Sequence, residues 1–233
     1  MNKSVYADLI NMYDKLLETG AIAPIAHTFI TARVGILLDV NGNFLGAMGM
    51  NEKVPVPTTV DAECRTNNIA PHLIHDNLSY VGNITGYENR HKAYVKQLGE
   101  YIQNVDDTLA KSVYRHIGKG ILMDEIKPIT DTLEIPLEKT VVVFALYRMK
   151  STINMKWTDY YIETLPKNGI CGITGEPDYI PVGYPKNLRK QGDMTRLFFS
   201  DGKDSLNSMS DISPGYMASQ KAIHALQFLM HGD

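Results

Sequence analysis

Asn41-Gly42 stands between two apolar runs, Val34 to Val40 and Phe44 to Met48. Both central residues of a two-residue type I′ turn need positive φ angles, which asparagine tolerates and glycine adopts freely. A chain carrying that pair between apolar runs folds back on itself as an antiparallel hairpin, so it contains a sheet. Thr140 to Tyr147 adds a second constraint. It is continuously apolar and β-branched at its start, the pattern of a central strand covered on both faces. Trp157 to Leu165 is predicted as a further strand of the same sheet, and Val54-Pro55-Val56-Pro57 as an extended exit from it, because proline cannot donate to a ladder.

Helical periodicity covers much of the rest. Ser4 to Thr19 carries two adjacent stripes, Val5, Leu9, Met12, Leu16 and Tyr6, Ile10, Tyr13, Leu17, with Ser4 as N-cap and Gly20 as stop. Tyr94, Leu98, Tyr101, Ile102 and Val105 predict a second helix, and Leu109, Val113 and Ile117 a third, closed by Gly118 and Gly120. A last helix starts at Ser213-Pro214 and stops at Gly232. From Asp61 to Gly86 no period is sustained, which predicts a long ordered loop or a run of short pieces; loops of that length are uncommon unless functional or disordered. The sum is an α+β fold: a mixed or antiparallel sheet with an N-terminal helix, two central helices and a C-terminal helix. One unit over residues 1–233 is preferred, and a subdivision near Asp131 also fits the pattern.

Composition narrows the class. With 233 residues, 44% of them hydrophobic and 21% charged, the chain can bury a core, which excludes a disordered protein. The longest apolar run, Val141 to Tyr147, is far below the ~20 residues of a membrane helix. Asp8 comes too early for a signal-peptide core, and Cys64 and Cys171 alone make no disulfide framework. A cytoplasmic protein is expected. The net charge of −3 argues against a whole surface that grips nucleic acid and leaves room for local basic patches.

The densest polar cluster runs from Arg65 through Asn67, Asn68, His72 and His75 to Asp76, Asn77 and Tyr80. Arginine, asparagine and histidine can donate to base edges and phosphates. The commoner fate of Asp76 and Asn77 is to brace backbone groups in a loop. Basic residues recur elsewhere: Lys92 and Lys96 on the second helix, Lys111, Arg115 and Lys119 on the third, and Lys186, Arg189, Lys190 and Arg196 in a glycine-containing loop. Each set is either a solvated face or a phosphate-tracking element. Gly118-Lys119-Gly120 lacks a phosphate-loop frame, and Asp106-Asp107 and Asp124-Glu125 fit helix starts better than acid–base catalysis. Cys64, His72 and His75 supply residue types for zinc or a cysteine nucleophile, without the spacing of a known site.

In order, Arg65-Thr66, Ile69-Ala70-Pro71, Asp76-Asn77 and Tyr80-Val81, followed by Cys171-Gly172-Ile173-Thr174-Gly175-Glu176 and Pro185-Lys186, resemble the two signatures of the large subunit of the type I-C CRISPR surveillance complex (Cascade). The resemblance runs the length of this chain and covers the N-terminal part of the family, whose longer members add a helical C-terminal region absent here. Asn67-Asn68 stand where Ser-Gly is usual, and His72 where asparagine is usual.

The resemblance implies a non-enzymatic DNA-binding subunit with no cofactor and no metal. It would recognise the motif flanking the target in duplex DNA, assist strand opening in antiviral defence, sit beside guide RNA-bound Cascade subunits and dock a separate helicase-nuclease. Arg65, Asn67, Asn68, His72 and Asn77 are then the residues expected to read the motif or brace the reading loop. Lys92, Lys96, Lys111, Arg115, Lys186, Arg189 and Lys190 are the expected phosphate contacts. The competing expectations are a purely structural subunit and a zinc or cysteine hydrolase built on Cys64, His72 and His75.

Overall fold

In the computed structural model the described residues are 3–147, 149, 151–186, 188–189, 195–198 and 213–231. Along the chain run α1 (Lys3–Glu18), β1 (His27–Leu38), β2 (Phe44–Pro57), the single turn α2 (Val60–Glu63), β3 (Asp76–Asn77), the single turn α3 (Leu78–Val81), α4 (Glu88–Asn104), α5 (Thr108–Ile117), α6 (Leu122–Thr130), β4 (Val141–Leu146), α7 (Met155–Thr164), the short β5 (Gly169–Ile170) and β6 (Pro177–Asp178), and α8 (Tyr216–His231). They form two compact units, residues 27–160 and the residues up to Ala26 together with those from Tyr161 onward.

The unit of residues 27–160 is built on a mixed four-stranded sheet in the order β2-β1-β4-β3. β1 pairs antiparallel with β2 and parallel with β4, and β3 pairs antiparallel with β4. Val142, Val143 and Phe144 are all buried, so β4 is covered on both faces, as its unbroken apolar sequence requires. Val34, Ile36 and Leu38 stand beside Val142, Phe144 and Leu146 in register, and all six are buried.

Two strand expectations are corrected. Pro55 and Pro57 continue β2, opposite Phe29 and His27. β2 is the edge strand, and the outward carbonyls of Pro55 and Pro57 accept from the Thr152 hydroxyl and, at 3.2 Å, the Leu73 amide. In an antiparallel strand a residue's nitrogen and carbonyl point the same way. Both missing proline donors therefore face away from β1 and cost the ladder nothing. Trp157 to Leu165 is helical, as α7, and not a strand. Its aromatic residues at 157, 160 and 161 follow helical spacing, and the Asn154 side chain accepts from the Trp157 amide at 3.1 Å to cap it. α6 was not expected: Pro128 and its acidic first turn obscure the Leu122 and Ile126 pair that it buries.

The hairpin is real, but its turn is not type I′. The loop spans residues 39–43, and only Gly42 has a positive φ, +79°, while the Asp39 carboxylate accepts from the Asn41 and Asn43 amides at 2.8 Å each. α5 grips this tip. Ser112 donates to the Asp39 carbonyl at 2.7 Å, Arg115 to Val40 at 2.9 Å, and Lys119 to Gly42 at 2.6 Å and to the Asn43 side chain at 2.8 Å. A Cβ on Gly42 would lie 2.6 Å from the Ser112 carbonyl and 2.9 Å from the Arg115 Cβ, so only glycine fits. His116, fully buried, lies 3.3 Å from the Gly42 carbonyl and 3.1 Å from Glu125 of α6. Burial pushes the His116 pKa down and the Glu125 pKa up.

In the other unit α1 packs on α8. Fully buried Tyr13 donates to the Ala23 carbonyl at 3.1 Å, and Lys221 pairs with Asp14 at 2.7 Å. α1 begins at Lys3, one residue before the expected cap, and α8 at Tyr216, after Ser213-Pro214. The expected stop at Gly232 lies outside the described residues.

Candidate nucleic-acid interface

The polar cluster is a run of short pieces around one ion pair. Asp76, 1% exposed, accepts from both terminal nitrogens of Arg65 at 2.6 and 2.7 Å, and from the His72 and Asn77 amides at 2.8 and 2.7 Å. Burial alone would raise its pKa. The Arg65 hydrogen bonds, the nearby His72 and the His72 amide outweigh that and hold the carboxyl below the usual aspartate value. Arg65 also donates to the Ala70 carbonyl at 2.9 Å and lies 4.7 Å over the Tyr80 ring, whose hydroxyl accepts from the Ala70 amide at 3.3 Å. Sequence shows both residues but not the bidentate pair, because they lie in different short pieces that only the tertiary fold brings together.

The surrounding residues lock this frame. The Asn77 side chain accepts from the Ser79 amide at 3.1 Å and caps α3. His72 is buried, with its Nδ1 2.8 Å from the Thr58 hydroxyl, and burial pushes its pKa down to about 4. Wholly buried His75 accepts from the Phe144 amide at 3.1 Å, and burial with His27 and His72 nearby pushes its pKa down to about 3. Ile74 holds a φ of +65°, strained for a β-branched residue. Tyr94 donates to its carbonyl at 2.7 Å.

Out of this frame rises a four-residue tip. Residues 66–69 are all exposed, Ile69 to 48%. The Asn68 side chain accepts from the Thr66 amide at 3.0 Å and donates to the Asp61 carbonyl at 3.4 Å, so it braces the tip from within. The Asn67 side chain has no hydrogen-bond partner among the described residues. Arg65, His72 and Asn77 thus support the loop, while Asn67 and Asn68 are presented on it.

The chain matches, over residues 9–232, the model of a family described as CRISPR-associated protein (Cas_Csd1). It belongs to that family. No curated protein matches it. Membership gives this Cas_Csd1 protein a role in CRISPR defence.

Its expected phosphate contacts have different surroundings. Lys92 and Lys96 are exposed on α4, with Lys96 3.7 Å from Glu100. Lys111 pairs with Asp106 at 2.7 Å, and Arg115 is engaged by the hairpin carbonyl. Lys186 is half-buried and Arg189 exposed in the other unit, and Lys190 lies outside the described residues. The paired acids behave as expected: Asp107 caps α5 by accepting from the Ala110 amide at 2.9 Å, and Asp124 and Glu125 occupy the first turn of α6.

The segment from Cys171 to Glu176 is a knuckle around a buried sulfur. The Cys171 amide donates to the Glu176 carbonyl and the Gly175 amide to the Cys171 carbonyl, both at 2.8 Å. The Cys171 Sγ accepts from the Gly215 amide at 3.1 Å, just before α8, and from the Thr174 amide at 3.5 Å. Burial would raise this thiol's pKa, but the hydrogen bonds from Thr174, Gly215 and Ile173 lower it overall. Cys64 is half-buried at the end of α2, and His72 and His75 each have a ring nitrogen engaged. Among the described residues no three His, Cys, Asp or Glu side chains are placed to share a metal ion, and no helix is long and apolar enough to cross a membrane.

Proposed function

We propose that this Cas_Csd1 protein is the large subunit of a type I-C surveillance complex and reads the short motif flanking the target in duplex DNA, without catalysing a reaction itself. One observation supports this above the others: the exposed tip of residues 66–69 stands on a buried, charge-neutralised frame. An asparagine carboxamide pairs bidentately with adenine in the major groove, and the partnerless Asn67 presents both its donor and its acceptor. A pre-braced loop also loses little conformational freedom on binding, which preserves affinity for a short motif. Half-exposed Ile69 beside it suits contact with a thymine methyl or wedging at a base step, the kind of contact that helps a duplex open.

Phosphate contacts are assigned to Lys92 and Lys96 in the tip's own unit; Lys186, Arg189 and Lys190 of the glycine-containing loop are a separate set of candidate contacts. Guide RNA-bound Cascade subunits and a separate helicase-nuclease are the proposed partners. Anisotropy of labelled duplexes carrying varied three-base flanks, at low and near-physiological salt, tests the reading. Salt-sensitive binding with a preference among flanks is expected. Binding without preference removes the motif-reading half, and no binding at low salt favours a purely structural subunit.

A further inference from the structure

Two guanidinium groups lie near the Tyr80 ring, and only one of them is neutralised by a carboxylate. Arg65 sits 4.7 Å over its ring and is neutralised by Asp76; Arg90, in the first turn of α4, sits 5.4 Å from the same ring and 5.1 Å from the ring of Tyr87. Arg90 donates to the Ser79 hydroxyl at 3.1 Å. Among the described residues its guanidinium has no carboxylate partner and no other acceptor. A guanidinium offers five N–H donors in a planar fork, so most of its donors are uncommitted among the described residues.

We infer that Arg90 is a phosphate anchor for the duplex whose motif the Asn67–Asn68 tip reads; the inference rests on that proposed function and adds a residue to it. Three features favour an anion over simple solvation. The two rings and Ser79 hold the guanidinium half-buried in one orientation, which reduces the entropy lost on binding. The fork matches two phosphate oxygens, and a charge already partly stripped of water binds an anion more strongly. The anchor is also coupled to the tip, since Tyr80 accepts from the Ala70 amide and Ala70 immediately follows the exposed residues. Phosphate contacts fix register while base contacts specify, and a rigid link of one ring between them is what such a division needs. Lys92, more exposed on the same helix, lacks both the stacking and the link.

The test is binding of a labelled duplex by the full chain and its Arg90→Gln and Arg90→Lys variants, between about 50 and 200 mM salt. Arg90→Gln is expected to flatten the slope of log K against log salt by about 0.9 and to weaken every flank equally, leaving flank preference intact. Arg90→Lys is expected to keep the slope while binding more weakly. A methylphosphonate scanned along the duplex should weaken the unsubstituted protein at one position and leave Arg90→Gln unaffected there. An unchanged slope in Arg90→Gln overturns the anchor, and a flank preference that survives it and is erased by Asn67→Ala leaves the motif reading standing. Absence of any binding by the unsubstituted chain at low salt overturns both.

Discussion

Asp76→Asn isolates the ion pair on which the tip stands. The substitution keeps the shape of the side chain and removes its charge, leaving Arg65 with 21% side-chain exposure and no anion beneath the loop. The carboxylate accepts from two Arg65 nitrogens and two backbone amides. An asparagine must present its own N–H₂ to some of those donors, so hydrogen bonds are lost along with the charge. Breaking a buried pair on one side costs about 3–5 kcal/mol. In a chain of this size, that lowers the unfolding midpoint by about 6–20 °C, at about 2–4 °C per kcal/mol. Trp157, the single tryptophan, reports on the same unit, because its indole donates to the Thr58 carbonyl at 3.0 Å and packs edge-on to Tyr101. Its fluorescence during urea and thermal unfolding gives the loss directly. Arg65→Gln combined with Asp76→Asn should recover part of the loss, since no unpaired charge then stays buried. A loss below about 1 kcal/mol in Asp76→Asn would refute the frame.

Two more perturbations follow from the geometry. Gly42→Ala should destabilise the 27–160 unit by more than about 1 kcal/mol in urea unfolding, because it meets both a positive φ and the backbone of α5. His72 and His75, pushed down to about 4 and about 3, stay neutral in the folded state while the unfolded chain protonates below about pH 6.5. Stability is therefore full above that pH and falls as pH drops, by about 1.4 kcal/mol per unit for each histidine. The urea midpoint should drop clearly between pH 7 and pH 5, a drop to which buried His116 adds, and His75→Gln should make it smaller; a flat profile would contradict the burial of these rings.

Most of the scaffold is readable because its signals are local. α1, the hairpin, α4, α5 and α8 each carry a stripe or a turn residue within a few positions. Tertiary context decides the rest. Pro55 and Pro57 are harmless only because β2 is an edge, and α7 shows its 157, 160, 161 spacing inside a short apolar stretch that also suits a strand. The site was legible in residue type and not in arrangement. Arg65, His72 and Asn77 could be singled out, yet their roles depend on Asp76, Thr58 and Ser79, contacts fixed only by folding. Arg115 and Lys119 looked like an open basic stripe because no sequence rule shows the hairpin tip arriving against them. Arg90 carries no signal in the sequence because its meaning lies in two rings, one of them from α3.

The most direct measurement of the central claim is the ratio of affinities for preferred and scrambled flanks, compared between the unsubstituted chain and Asn67→Ala. Asn67 has no partner to lose among the described residues, so its truncation leaves the frame intact. A bidentate base contact is worth about 1–3 kcal/mol of discrimination, so the ratio should fall by about 5–150-fold while affinity for the scrambled duplex stays constant. A ratio unchanged by Asn67→Ala, or equal losses on both duplexes, would contradict the assignment of this tip to motif reading.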